Sequence, residues 1–241
     1  MRKRIVLLKS QPNGEVDPYA SLEPHYISVL KTYNLNADRL HEVLDYNSFI
    51  FTSARAVEAL KGSNVLSHLI SKPVYVVGQH TASALREIGH NDIRGEESGR
   101  GEVLASIIAD HYRDGKVHGP MMFLSAETTA YDLAGRLCDE GIETMKLIVY
   151  KTEPDPQSAS MLSYHLDQHP DEKMILIVFS PSGVSNCIPV IRAHSNRLHI
   201  TCIGPSTEKA LLRHGLSVEA TAESPDPEGM TAALRQKGLL N

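Results

Sequence analysis

Short β-branched runs alternate with stretches of helical spacing along the whole chain. That alternation is the signature of parallel sheets flanked by helices, an α/β fold. It predicts strands over residues 4–9, 26–32, 48–52, 74–77, 121–124, 144–150, 174–179, 199–203 and 217–220. Helices are predicted over residues 54–61, 81–88, 101–113, 129–140, 157–168, 183–193, 206–213 and 228–237. Pro154 and Pro156 interrupt the pattern after Tyr150, where a linker fits.

The pattern also repeats. Val76-Val77-Gly78-Gln79-His80-Thr81-Ala82-Ser83-Ala84-Leu85, closing on Gly89, is echoed by Cys202-Ile203-Gly204-Pro205-Ser206-Thr207-Glu208-Lys209-Ala210-Leu211, closing on Gly215. Glu97-Ser98 and Glu223-Ser224 then come at matching offsets. Upstream, Phe49-Ile50-Phe51-Thr52-Ser53-Ala54-Arg55 matches Ile177-Val178-Phe179-Ser180-Pro181-Ser182-Gly183. The chain therefore holds two similar α/β units, each with two hydroxyl-rich strand-to-helix turns. They are not simple halves, because the strand at 4–9 has no obvious place in the middle unit and could complete the C-terminal one. The expected domains are residues 1–33 with 154–241, and an inserted domain over 37–148. Residues 34–36 and 149–153 become two linker segments that can act together as a hinge.

Helix starts leave backbone N–H groups without partners, and the aligned peptide dipoles favour negative charge there. Four such turns facing one cleft would receive a ligand with many anionic groups. The plainer account makes Thr81, Thr207, Ser53 and Ser182 helix caps. Recurrence on matched elements favours a shared ligand.

Composition narrows this picture. At 241 residues the chain is long enough for two domains with their own cores, and 41% hydrophobic and 22% charged residues are ordinary globular values. A net charge of −5 argues against a broad nucleic-acid surface, so an anionic ligand must be held by local groups. No apolar stretch is long enough to cross a bilayer, and the Ile5–Leu8 run after Met1-Arg2-Lys3-Arg4 is cut short by Lys9, Ser10 and Gln11. That run reads as a first buried strand in a cytoplasmic protein. Cys138, Cys187 and Cys202 are odd in number and widely spaced, which suggests buried thiols rather than disulfides or a zinc site. His165 and His169 share one face of a predicted helix, but no Glu comes after His165 as in a zinc-protease helix. They read as two solvent-exposed histidines, and no metal is expected.

The runs Phe51-Thr52-Ser53-Ala54-Arg55-Ala56-Val57-Glu58-Ala59, Val76-Val77-Gly78 with Thr81-Ala82-Ser83, and Val149-Tyr150-Lys151-Thr152 resemble the uroporphyrinogen-III synthase family. So do Phe179-Ser180-Pro181-Ser182-Gly183, Ile203-Gly204-Pro205-Ser206-Thr207 and Thr221-Ala222-Glu223-Ser224-Pro225 with Gly229. The resemblance covers nearly the whole chain. Three departures stand out. Residues 10–25, which should carry the first crossover helix, form a short segment limited by Pro24. The two glycine turns read Gln79-His80-Thr81 and Pro205-Ser206-Thr207, and both keep the hydroxyl.

The resemblance implies an enzyme that closes hydroxymethylbilane, a linear tetrapyrrole with acetate and propionate arms, losing water and inverting the last ring. It implies no cofactor. Ring closure is intrinsically easy, so the protein must mainly hold the ring ends in the productive geometry. A carboxylate at a helix start gains roughly 0.3–2 kcal/mol. The binding residues this implies are Ser53, Arg55, Gly78, Thr81, Ala82, Ser180, Ser182, Gly183, Pro205, Ser206 and Thr207. Arg55 stands in the first turn of a helix, where a cation opposes the dipole, so it is expected to pair with substrate; the alternative is a salt bridge to Glu58 or Asp45. Tyr150 matches the tyrosine of the family's Val-Tyr-x-Thr run and is the candidate proton donor, since a phenol stays protonated at neutral pH. Its alternative role is to pack its ring between domains.

The resemblance points to a cytoplasmic monomer. A two-domain receptor that clamps an anionic small molecule without reaction fits the same repeat, but would usually carry an export signal or a DNA-binding segment, and neither is seen. A nucleotide-dependent enzyme fits less well, because Gly99-Arg100-Gly101 comes after a polar loop rather than a strand.

Overall fold

Strands that are apolar at every position cannot leave either face in water, and this chain places such strands at the centres of two parallel sheets. A computed structural model describes residues 3–12 and 16–240. The strands are β1 (Arg4–Leu8), β2 (His25–Tyr26), β3 (Leu30–Asn34), β4 (Phe49–Phe51), β5 (Val74–Val76), β6 (Ile93–Arg94), β7 (Met121–Ala126), β8 (Thr144–Pro154), β9 (Met174–Val178), β10 (Leu198–Cys202) and β11 (Ala220–Thr221). They belong to two compact units: a discontinuous one, Met1–Lys31 with Glu153–Asn241, and a continuous one, Thr32–Thr152.

In the discontinuous unit the strand order is β11-β10-β9-β1-β2, and the pairings are parallel. The continuous unit has the order β3-β8-β7-β4-β5-β6, parallel from β8 to β6. The repeated segments account for β9-β10-β11 and β4-β5-β6. Beside β9 lie β1 and β2, from the start of the chain, whereas beside β4 lie β7 and β8, from later in it. The two sheets thus share one spatial order with cyclically shifted chain order. In the continuous unit the chain runs from β4 outward to β6, then returns to β7 on the other side of β4. That reversal makes the β4/β7 boundary a topological switch point, where α/β sheets open a crevice at the carboxyl ends of their strands.

Both faces of each sheet are covered. Phe49, Phe51, Val74, Val76, Met122 and Leu124 pack into one layer of the continuous unit, and Ile50, Tyr75, Met121 and Phe123 into the other. Val6, Leu8, Leu176 and Val178 lie on one side of the discontinuous sheet, with Ile5, Leu7, Ile175 and Ile177 on the other.

Several elements differ from the sequence expectation. The run at 26–32 is two strands, not one: Ile27 N–H still donates to Leu7 O at 2.9 Å, after which β3 joins the other sheet. Residues 149–153 lie within β8, where Leu35 N–H donates to Val149 O at 2.9 Å. The helix at 129–140 begins only at Leu133, because the Asp132 carboxylate accepts from Gly135 N–H at 3.0 Å and caps it there. The helix at 183–193 is broken into Pro181–Val184, a 3-10 turn and Ile188–Ala193, since Pro189 has no N–H and sits only in a first turn. The strand at 217–220 is instead Ala220–Thr221, pairing with the end of β10. A 3-10 helix over Ala37–Asp45, which buries Leu40 and Val43 three residues apart, was not anticipated. Of the segment 10–25, Ala20–Leu22 forms a single 3-10 turn, while residues 13–15 lie outside the described residues.

Cys187 and Cys202 are buried, but Cys138 is exposed on the surface of its helix. His165 is buried, not exposed: it stacks on His25 with ring centroids 3.8 Å apart and meets the edge of His169 at 5.3 Å.

Candidate functional site

The switch point of the continuous unit holds a cavity of about 390 Å³. Its wall is built at and beside the carboxyl ends of the strands: Thr52 and Ser53 after β4, Val77 after β5, Gly99 to Glu102 at the start of the helix Gly101–Arg113, Ala126 and Thr128–Tyr131 at the end of β7, and Tyr150 of β8 level with that end. Phe123 and Leu133 supply apolar surface below. A second cavity of about 180 Å³ is lined by Arg55, Ala126, Glu127, Thr128, Tyr150, Lys151 and Thr152. Ala126, Thr128 and Tyr150 line both, so Tyr150 stands between a larger hollow bordered by hydroxyls and apolar side chains and a smaller one bordered by charged groups.

β4 delivers Ser53 and Arg55. Ser53 is extended and its Oγ accepts from Arg55 N–H at 3.2 Å, so it caps the helix Ala54–Ala59. Glu58 pairs with Lys61 at 2.6 Å. Among the described residues Arg55 makes no ion pair, which removes the expected alternative of a bridge to Glu58 or Asp45. Tyr150 is 5% exposed and packs its ring into the continuous unit's own core. The backbone holds it at a bulge, where Ala126 pairs with Tyr150 and Glu127 N–H donates to Tyr150 O at 2.9 Å.

At the next turn Gly78 caps the helix Gln79–Glu87 with φ at 79°, a left-handed value that a side chain would strain. Thr81 and Ala82 are buried inside this helix, so Thr81 is not its cap. Val77, rather than Gly78, Thr81 or Ala82, reaches the larger cavity.

In the discontinuous unit the matched turns are built in the same way. Ser180 Oγ accepts from Gly183 N–H at 3.0 Å and caps Pro181–Val184, so Ser180 and not Ser182 is the cap. Ser182 is exposed beside it. Gly183 is buried because a Cβ there would meet Ser180 Oγ and Val29 Cγ2, each at 2.7 Å. Pro205 and Ser206 open the helix Pro205–Arg213 from the Gly204 cap, leaving Thr207 inside it. Thr207 is 1% exposed, and its Oγ1 has no hydrogen-bond partner among the described residues. Below this turn burial pushes the Cys202 thiol up, keeping it protonated.

Ser53, Arg55 and Tyr150 are thus brought together around two adjoining cavities. Arg100, Thr128, Thr129 and Tyr131 stand with them and were missed from the sequence. Two signals were available: Thr128-Thr129 comes after β7 as Thr52-Ser53 comes after β4, and Gly99-Arg100-Gly101 opens the helix Gly101–Arg113.

Parallel sheets with a hydroxyl-lined hollow at a switch point define an α/β protein that takes a small ligand at the carboxyl ends of its strands. The family model described as Uroporphyrinogen-III synthase HemD matches residues 19–232, and the chain belongs to that family, cyclising enzymes of haem biosynthesis. It is similar to the uroporphyrinogen-III synthase of Schizosaccharomyces pombe, 28% identical over 94% of this chain and 93% of the relative. The uroporphyrinogen-III synthase of Saccharomyces cerevisiae is 27% identical, over 96% of this chain and 95% of the relative. The fold matches the crystal structure of uroporphyrinogen-III synthetase from Helicobacter pylori 26695 with a TM-score of 0.62 at 21% identity, covering 98% of this chain and 99% of that one. Among the described residues no helix is long and apolar enough to cross a membrane.

Proposed function

We propose that this protein converts hydroxymethylbilane into uroporphyrinogen III, with Tyr150 as the proton donor. The observation that carries the assignment of Tyr150 is its place on the wall shared by the two cavities. The bond between the terminal hydroxymethyl carbon and its oxygen breaks as the phenol proton passes to the oxygen, giving water. The pyrrole nitrogen supports the electron-poor carbon left behind. The substituted carbon of the last ring attacks that carbon, a spiro intermediate rearranges with inversion, and the proton lost on closing returns to the phenolate. Arg55, Glu127 and Lys151 line the smaller cavity beside Tyr150, so charges of both signs border the reacting groups.

Substrate carboxylates are held by Ser53, Arg55 and the Gly78–Ala82 turn of the continuous unit. Ser180, Ser182, Gly183, Pro205, Ser206 and Thr207 serve the same end in the discontinuous unit. The helix starts favour anions at these turns. The enzyme works as a cytoplasmic monomer without a cofactor, a reading in which the two sets of matched turns in one chain suffice to bind the substrate.

The test adds purified protein to freshly generated hydroxymethylbilane, oxidises the product and separates the porphyrin isomers. Isomer III in excess over the spontaneous isomer I is expected. Tyr150→Phe is expected to lower turnover by about 10²-fold, within the usual range for general acid catalysis, while product affinity changes little. Isomer I alone at the uncatalysed rate overturns the activity, and an unchanged rate in Tyr150→Phe removes Tyr150 as the donor.

A further inference from the structure

In the continuous unit the arginines fall into two groups. Arg39, Arg86, Arg94, Arg113 and Arg136 each pair with a carboxylate: Glu42, Glu96, Asp92, Asp110 and Glu140. Arg55 and Arg100 pair with none among the described residues, and each lines one of the two cavities that share Tyr150. A guanidinium at a cavity wall that has no carboxylate partner within the protein can take one from a ligand.

The larger cavity limits what that partner can be. Ligand pockets for small molecules run from about 300 to 1,000 Å³, so about 390 Å³ is near the lower end and has room for a single pyrrole ring with its acid arms. Phe123 and Leu133 offer apolar contact, and the Tyr131 ring lies against the helix start because Gly101 has no Cβ, which would stand 2.8 Å from Tyr131 Cδ1. Thr128 and Thr129 add hydroxyls on the wall after β7. Glu102 also stands on this wall, so the cavity needs a cation to accept an anionic ring.

We propose that this cavity seats the substrate ring that carries the leaving hydroxymethyl group, and that Arg100 holds one of that ring's carboxylate arms. This rests on the cyclising activity with Tyr150 as donor. Arg100 is a positioning residue: it forms a charge-assisted, two-pronged contact with the carboxylate and keeps the ring in the cavity in ground and transition states alike.

The experiment compares parent, Arg100→Ala, Arg100→Lys and, as a control on the same helix, Arg113→Ala. For Arg100→Ala, KM rises about tenfold or more with kcat within about threefold, as expected for loss of a charged contact made in ground and transition states alike. Arg100→Lys recovers part of the loss, and Arg113→Ala matches the parent. Affinity for uroporphyrin III, measured by quenching of the porphyrin's own fluorescence, falls by the same factor in Arg100→Ala while the melting temperature holds. Parent-like KM and porphyrin affinity in Arg100→Ala overturn the proposal. The binding measurement is independent of turnover. If the parent makes no isomer III, the activity falls on its own, and porphyrin affinity still decides whether Arg100 holds a tetrapyrrole carboxylate.

Discussion

Thr207 carries a hydroxyl that is buried and has no partner among the described residues, while the hydroxyls of Ser53 and Ser180 are committed to backbone N–H groups at their helix starts. A buried, unsatisfied polar group costs the free protein about 1–3 kcal/mol. Thr207→Val keeps the shape and removes the group. It should therefore raise stability by about 1 kcal/mol, read as a higher urea midpoint, and weaken tetrapyrrole binding if the hydroxyl is kept for the ligand. A lower midpoint with parent-like binding would make Thr207 a packing residue. Tyr150 was legible in the sequence through its match to the family's Val-Tyr-x-Thr run, and Arg55 through its place in the first turn of a helix. Arg100 was not, because nothing near it in the chain shows that its neighbours across the cavity are Thr128 and Tyr150.

The turns that carry these residues depend on close packing as well as on caps. At the start of Pro181–Val184 the chain passes so near Val29 that only glycine fits at position 183. Gly183→Ala must displace either the Ser180 cap or the Val29 side chain. Overpacking of this kind typically costs about 1–3 kcal/mol, so a lower thermal midpoint is expected, and an unchanged one would show that the turn can relax. The element boundaries that the sequence misplaced have local causes. Pro189 removes a donor inside the predicted helix at 183–193, and Asp132 supplies a cap later than the periodicity suggests. The run at 26–32 offered no such cue: β-branched residues favour a strand without saying which sheet it joins.

At the scale of the molecule, tertiary structure creates groups with properties no segment has alone. His25 from β2, His165 from the helix Ser158–Asp167 and His169 from the turn after it gather beside Arg4 of β1 and Glu172. Burial, then the charges of His25, His169 and Arg4, pushes His165 down to about 4, against a weaker opposing pull from Glu172. Burial and Arg4 also lower His25, while Arg4 holds the Glu172 carboxyl below its usual range. A histidine kept neutral in the folded state gains a proton on unfolding once the pH is below its free value of about 6.5. The stability it contributes is therefore complete above about pH 6.5 and is lost as the pH falls toward 4. Urea midpoints should drop between about pH 7 and 5, and His165→Phe, which keeps an aromatic ring against His25, should flatten that slope. An equally steep slope in the variant would place the acid sensitivity elsewhere.

The sequence by itself determined the α/β class, the internal repeat, the family and the hydroxyl-bearing turns, because these are written in local spacing: strand, glycine or serine, helix. That the first strand joins the C-terminal segment was also expected from the sequence, but only the tertiary structure decided that it pairs beside β9 and that β7 returns beside β4. Strand order is set by pairing between residues far apart in the chain, and no local pattern records it. The same long-range pairing opens the cavity between β4 and β7, which is why Arg100, Thr128 and Tyr131 are brought together around one cavity only in the folded chain.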